Sequence, residues 1–399
     1  MKMLPKLFLL LTLVLLYVSI FAQSWTEQAP FPALERDDAI GFSINNIGYV
    51  GSGVSTGGIF NKDFYSYQPL TNSWQPIDSL IGLARQYTCS FVVKGKGYVI
   101  GGILPDWSYT NEVQAYNPFT KHWEIVTPLP AHERYSSVGF NIGNTGYVAG
   151  GRNQTEGFND FWAYDPMANS WQQKANLPNG TRYEGIGFSI GGFGYFGLGK
   201  EVNGNCYNDF WKYSPISNNW ERMADFPGNI RTYTVAFAYN EYGYVYSGWD
   251  ENNVSINEFW QYNSITNSWI RLPNPEFGKV RGTSTFLIDN CTYMTNGKDE
   301  NNIRVNNHWK YCMTEQNELN ITVYPNPTPN FARISLINLL EAGYIKVYNS
   351  LGQLMIKDPL SAGSYFYDIH LTNSRPGIYF LQITDPHDNL LHTSKLVKY

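Results

Sequence analysis

Charge is the first thing this chain has little of. Only 15% of its 399 residues are charged, where soluble domains average about 25%. The charges lean acidic, with 33 Asp and Glu against 28 Lys and Arg, for a net of −5. A coiled coil, which is rich in Glu, Lys and Leu, is excluded. So is the basic footprint of a nucleic-acid binder. Cysteine and histidine are also scarce, at 4 and 6. They show no metal-ligand spacing, and there is neither a Gly-rich phosphate loop nor a Gly-x-Ser-x-Gly elbow. No cofactor or metal is expected. Long apolar runs are missing after residue 21, so no later segment is long enough to span a bilayer as a helix. Aromatics are abundant instead: 30 Tyr, 23 Phe and 12 Trp, with 36 Gly. A disordered chain lacks such aromatics.

The one long apolar run is N-terminal. Lys2 and Lys6 precede Leu7 to Phe21, and Ala22 follows. A positive start, an apolar stretch too short to span and a small residue at its end read as a cleaved signal peptide over residues 1–22. The protein is therefore expected to be exported.

Internal repetition decides the architecture. Trp25, Trp74, Trp123, Trp171, Trp220 and Trp269 are separated by 49, 49, 48, 49 and 49 residues. Arg36, Arg85, Arg134, Arg182, Arg231 and Arg281 keep the same beat. So do Phe42, Phe91, Phe140, Phe188, Phe237 and Phe286, and a Tyr series from Tyr49 to Tyr293. Turn signals cut each unit into four short strands. In the third unit the first strand holds Val138-Gly-Phe-Asn-Ile142, and Gly143-Asn-Thr-Gly146 turns into Tyr147-Val-Ala-Gly-Gly151. A variable loop leads to Asn159-Asp-Phe-Trp-Ala-Tyr164, and Asp165-Pro-Met-Ala-Asn-Ser170 turns before Trp171 opens the fourth strand. Four strands in about 49 residues make one propeller blade.

The Gly pair after Tyr-Val, the Tyr-Asp-Pro-like turn and the spaced Trp resemble kelch repeats over residues 24–312. The first three strands occur six times, while Trp25 leads a fourth strand with no partners before it. The expected fold is all-β: a six-bladed kelch-type propeller over residues 23–312, closed by its N-terminal strand.

The repeated Arg starts each first strand, and an acid starts each third strand on the same face: Asp63, Glu112, Asp160, Asp209 and Glu258, with Asn307 sixth. An intrablade ion pair is the reading favoured by this joint recurrence; a cationic ring for a sugar acid or peptide carboxylate is the other. Periodic Trp and Tyr are assigned to packing, since every blade needs a core. The candidate binding residues are those on this face off the beat or beside it: Trp107, Tyr109, Arg134, Tyr135, Arg182, Tyr183 and Trp249. Asp250-Glu-Asn-Asn253 and Asp299-Glu-Asn-Asn302 are read as Asx turns in preference to calcium loops. Cys291 and Cys312 fall opposite one another on neighbouring strands, where an exported protein can form a disulfide.

Beyond a polar linker at 313–320, residues 321–399 carry short alternating strands expected to form a small Ig-like β-sandwich. Val323-Tyr-Pro-Asn-Pro327, Val347-Tyr-Asn-Ser-Leu-Gly352, Pro376-Gly-Ile-Tyr379 and Lys395-Leu-Val-Lys398 resemble the type A sorting domain of the type IX secretion system. The resemblance implies a Bacteroidetes-type source, delivery to the cell surface or medium, and the type IX machinery as partner. It places the sorting motif at Tyr324, Pro325, Asn326, Pro327, Gly377, Tyr379, Lys395 and Lys398. Without a nucleophile motif the chain is read as a binding module for a glycan or protein rather than an enzyme. The alternative is a carbohydrate-active isomerase, because sialic-acid epimerases resemble six-bladed kelch rings; Glu133, Glu184, Arg134 and Arg182 are its acid, base and anchoring candidates at the channel mouth.

Overall fold

The computed structural model describes residues 24–313, 320–324, 326–337, 342–361, 364 and 366–399. The expected signal peptide and most of the linker lie outside them. Every regular element described is a strand.

Residues 25–312 build six four-stranded antiparallel sheets. The third is typical: Val138–Ile142, Thr145–Ala149, Phe161–Asp165 and Ser170–Lys174, in chain order. In the sixth, Ser284–Ile288, Cys291–Thr295 and His308–Cys312 are joined by Trp25–Gln28, whose Trp25 lies opposite Tyr311. Each innermost strand packs against the next, and Ser284–Ile288 against Ile40–Ile44. Cys291 and Cys312 are direct cross-strand partners and are joined by a disulfide.

The alternation of the innermost strand explains two of the repeats. Each series Phe points into the space between sheets. The residue before it (Gly41, Ser90, Gly139, Gly187, Ala236 or Thr285) is small and lines a central channel of about 430 Å³. The Gly before five of the six series Tyr has the same origin. A Cβ on Gly146 would sit 2.3 Å from the Phe91 ring of the preceding sheet, and one on Gly97 2.2 Å from Phe42. Packing at that spacing admits no side chain.

Neighbouring sheets are stitched at their rims. Trp74 donates its indole N–H to the Ala29 carbonyl at 3.0 Å, Trp123 to Asp78 at 2.8 Å, Trp171 to Thr127 at 3.0 Å and Trp220 to Ala175 at 2.9 Å. Asn169, at φ 46° in the turn before the outer strand, accepts from the Tyr164 hydroxyl and from the Thr127 N–H. The periodic Trp and Tyr are thus interblade mortar. Buried indoles and phenols need a partner for their polar ends: the neighbouring backbone supplies it to these four Trp, and the Asn169 side chain to Tyr164.

The C-terminal part forms two sheets. Asn320–Tyr324, Phe331–Ile337 and Phe366–His370 make one; Leu354–Leu360, Gly343–Asn349, Gly377–Thr384 and Leu390–Lys398 make the other. Ala332, Ile334, Ile345, Val347, Leu381 and Leu396 close a core of their own.

Candidate functional site

The first face of the propeller carries the segments that enter the innermost strands and the hairpins between second and third strands. The repeated Arg sits beneath it and is spent. Arg182 donates to both Asp209 oxygens at 2.7 and 3.2 Å and to the Leu198 carbonyl at 3.0 Å. Arg36 with Asp63, Arg85 with Glu112, Arg134 with Asp160 and Arg231 with Glu258 repeat the ion pair, and all but Arg85 repeat the carbonyl contact. Arg134 and Arg182 are each 1% exposed. They are therefore scaffold, which corrects their place among the ligand-contacting candidates: a guanidinium walled in by its own acid offers a ligand no donor.

Arg281 also needs correction as the sixth member of that series. Val280 pairs with Asp299 and Arg281 with Lys298, whereas Arg231 pairs with Asp250 and Thr232 with Trp249. Val280 thus occupies the scaffold-Arg position, and Arg281 takes the next one, equivalent to Asp37 and Thr232. In the sixth sheet both halves of the ion pair are replaced together, by Val280 and Asn307.

The next two positions of each repeat, with the residues facing them across the hairpins, form the mouth. Tyr87 from the second repeat meets Tyr233 from the fifth, hydroxyl to hydroxyl at 3.4 Å. These repeats lie half a ring apart, so the pair spans the axis and covers the channel. Tyr87 also neighbours Asp38, and Tyr233 neighbours Glu184, giving a line of four side chains in which two buried carboxyls flank two phenols. Burial pushes the Asp38 carboxyl well above the usual range, and adjacent Asp37 adds to it. Burial raises Glu184 as well, against the opposing pull of Lys200 at 3.1 Å.

Cations surround this line of side chains. Lys298 and Arg304 pair with Asp37 at 2.9 and 2.6 Å. Arg152 and Arg281 make no ion pair among the described residues. Arg152 lies 4.8 Å from the Tyr183 ring centroid and 5.7 Å from that of Tyr135, and it donates to the Tyr183 hydroxyl at 3.2 Å. Arg281 stands 3.7 Å from the Trp249 ring and hydrogen-bonds Asn302. Aromatic faces hold both guanidiniums without neutralising them.

Of the aromatic candidates, the structure brings four together here. Tyr109 stacks on Tyr135 at 5.3 Å, Tyr135 neighbours Tyr87, Tyr183 supports Arg152, and Trp249 packs on Tyr233. Trp107 stands apart, 68% exposed, with its ring edge-on to Phe60. Sequence reasoning missed Tyr87, Tyr233, Asp38, Arg152, Lys200, Lys298 and Arg304. Asp38, Tyr87, Glu184 and Tyr233 all fall two residues after a series Arg, and each has a positive φ near 55°. Of these only Glu184 was singled out. The oxygen-rich runs are Asx turns: Asp250 Oδ1 accepts from the Asn252 and Val254 N–H groups, and Asp299 Oδ1 from Asn301 and Ile303. No cluster suited to a metal occurs among the described residues.

In the C-terminal domain the motif residues divide by exposure. The Asn326 side chain bridges the last strand, donating to the Lys395 carbonyl at 2.7 Å and accepting from the Val397 N–H at 2.9 Å. Tyr379 is buried, its hydroxyl donating to Arg375 at 2.6 Å. Lys398 is 6% exposed and donates to the Leu371 carbonyl. Pro327, Gly377 and Lys395 are exposed, Tyr324 lies on the first strand of its sheet, and Pro325 falls outside the described residues.

Fold and repeats define an all-β propeller of kelch type with an all-β C-terminal domain. Residues 43–228 match the KLHDC2/KLHL20/DRC7 Kelch-repeats domain, and residues 322–399 match the Secretion system C-terminal sorting domain. The chain is a kelch-repeat protein carrying a type IX sorting domain. No curated protein matches it.

Proposed function

We propose that this is an exported kelch propeller, displayed on the cell surface or released. On this reading residues 1–22 are removed as a signal peptide and residues 321–399 engage the type IX secretion machinery. The propeller then serves as a binding module for an extracellular glycan or protein, and the geometry favours an anionic glycan held at the channel mouth. One observation carries the choice: Arg152, partly exposed at the mouth, is braced by Tyr135, Tyr183 and the Asn153 and Gln154 carbonyls, with no carboxylate in ion-pair range and an N–H of each terminal nitrogen left over. A guanidinium so placed is suited to bidentate capture of a sugar carboxylate, with the aromatic rings packing on the sugar face. Binding of acidic and neutral oligosaccharides to the full chain tests this. Arg152→Gln, which orphans no acid, is expected to weaken the acidic ligand roughly tenfold to a hundredfold, the range of one charged hydrogen bond. An array in which no acidic glycan binds, or binding indifferent to Arg152→Gln, overturns it.

A second reading has support of its own. Asp38 and Glu184, both raised by burial and flanking Tyr87 and Tyr233, have the character of an acid/base pair at the same mouth. An isomerase acting on a sugar acid would use them. Interconversion of N-acetylneuraminate anomers or epimers, followed by proton NMR and abolished in Glu184→Gln, is the result that selects it.

A further inference from the structure

The sixth sheet differs from the other five at three contacting positions. In the others an Arg guanidinium meets an acid, and in four of the five it also meets a backbone carbonyl. Arg36, for example, reaches Asp63 at 2.6 Å and the Ser52 carbonyl at 3.1 Å. In the sixth sheet Val280 stands for the Arg, Asn307 for the acid, and Asn296 for Ser52. The counterparts of Asn296 elsewhere are Gly101, Gly150, Leu198 and Ser247, so no other sheet carries a carboxamide there. All three residues line one cavity of about 270 Å³, with Phe277 and Trp309 stacked at 4.7 Å along its wall. That is many times a water's share of liquid volume, about 30 Å³, and near the lower end for small-molecule sites, about 300 Å³.

The polar groups there are unsatisfied. Asn296 is 2% exposed, and neither its Nδ2 nor its Oδ1 has a partner; the Thr283 hydroxyl on the same wall also has none. Hydroxyls at the equivalent positions, Ser52, Ser247 and Thr88, are unpartnered too, so it is the Asn296 carboxamide, with both donor and acceptor unmet, that needs an explanation peculiar to this sheet. The two charges that fill this space elsewhere have gone together, so the cavity asks for neither a cation nor an anion. It offers one amide donor, one amide acceptor, a hydroxyl and an aromatic wall. The Asp299 carboxylate at its edge has one oxygen, Oδ1, taken up by two backbone N–H groups and can add a second acceptor for a sugar hydroxyl.

We infer that this cavity is a second binding site, distinct from the mouth, for a neutral sugar of monosaccharide size. Ring hydroxyls pair with the Asn296 carboxamide and Thr283, and the apolar sugar face packs against the Phe277 and Trp309 wall. Asn307, exposed, marks its open side.

Saturation-transfer NMR on the full chain with glucose, galactose and N-acetylglucosamine, and N-acetylneuraminate as the acidic comparator, tests the assignment. A neutral sugar is expected to bind with Kd on the order of millimolar. The double variant V280R/N307D rebuilds the ion pair that five sheets already contain, so it fills the cavity with a motif this fold tolerates. It should abolish neutral-sugar transfer while Arg152→Gln leaves it unchanged. Asn296→Leu, which copies Leu198 at the same positive φ, should do the same without adding charge. Transfer that persists in V280R/N307D and Asn296→Leu, or the absence of transfer to every neutral sugar, overturns the inference. Loss in Arg152→Gln with retention in V280R/N307D moves the sugar to the mouth and overturns it equally.

Discussion

Replacing Arg182 separates a scaffold guanidinium from a ligand-binding one. Arg182 is 1% exposed and Asp209 2%, and the guanidinium also lies 3.8 Å from the Tyr207 ring. Arg182→Val strips Asp209 of its charge partner and leaves Asn179 and Trp211 as its side-chain donors. An uncompensated buried carboxylate costs about 3–5 kcal/mol when its partner is removed. Asp209→Asn orphans the guanidinium and should cost about as much. R182V/D209N copies the Val280 and Asn307 of the sixth sheet and should cost about as much as either single change. The double-mutant cycle then gives a coupling of about 3–5 kcal/mol, at or above the upper end for residues in contact. Urea denaturation of all four proteins measures it.

The acid side gives an independent check. Burial opposes the Asp209 charge, but Arg182 and the other donors win and hold its carboxyl below the ordinary range. A depressed carboxylate stabilises the fold above its unfolded pKa, and that contribution is lost as pH falls through the folded value. The advantage of wild type over Asp209→Asn should therefore be full at neutral pH and shrink on acidification below the ordinary Asp range. Additive single costs, or an Arg182→Val penalty under about 1 kcal/mol combined with lost glycan binding, would refute the scaffold assignment.

Three further outcomes are expected. Gly146→Ala places a methyl against the Phe91 ring and should cost about 1–3 kcal/mol by overpacking; a neutral effect by thermal melting contradicts the interblade contact. Asp38→Asn removes a carboxyl whose pKa is raised, so its stability gain over wild type should be absent at acidic pH and grow as pH rises through the raised value. Asn tolerates the φ of 55° there, and a gap independent of pH across the melts rejects the burial argument. Deleting residues 321–399 should leave a folded propeller retained in the periplasm, and normal surface display of that truncation in fractionated cells disproves the sorting role.

What was legible in the sequence was whatever the fold demands in every repeat. Phe91 must sit on a glycine of the next sheet, and Trp123 must hand its N–H to the neighbouring backbone; each demand recurs, so each leaves a period. The Arg–acid pairing was legible for the same reason. The slip at Arg281 shows the limit of counting one series alone. Arg precedes its Phe by six residues in five repeats and by five in the last. That spacing was the available signal, and the strand register establishes that Val280 has taken the place and Arg281 the next. The mouth was largely illegible because its partners come from different repeats. Nothing in the chain order announces that Tyr87 reaches Tyr233, 146 residues away. The side chains that meet there share a position but not a residue type.

This contrast bears on where function resides. A residue repeated in step satisfies a demand that every sheet makes, and a ligand makes no such demand. The informative positions are those where the fold fixes the backbone alike and the side chain differs. Two residues after the scaffold Arg, the backbone is left-handed in the first five repeats, yet the residue is Asp38, Tyr87, Ser136, Glu184 or Tyr233. Each non-glycine held there carries a modest conformational cost. Fold alone would choose glycine or asparagine for all of them. Two carboxyls and two phenols, gathered over the axis, are therefore unexplained by the scaffold, and the proposed ligand site at the mouth accounts for them. The same logic singles out Val280 and Asn307, where a pairing kept five times is dropped at both positions together, and Asn296 beside them, where no other sheet carries a carboxamide.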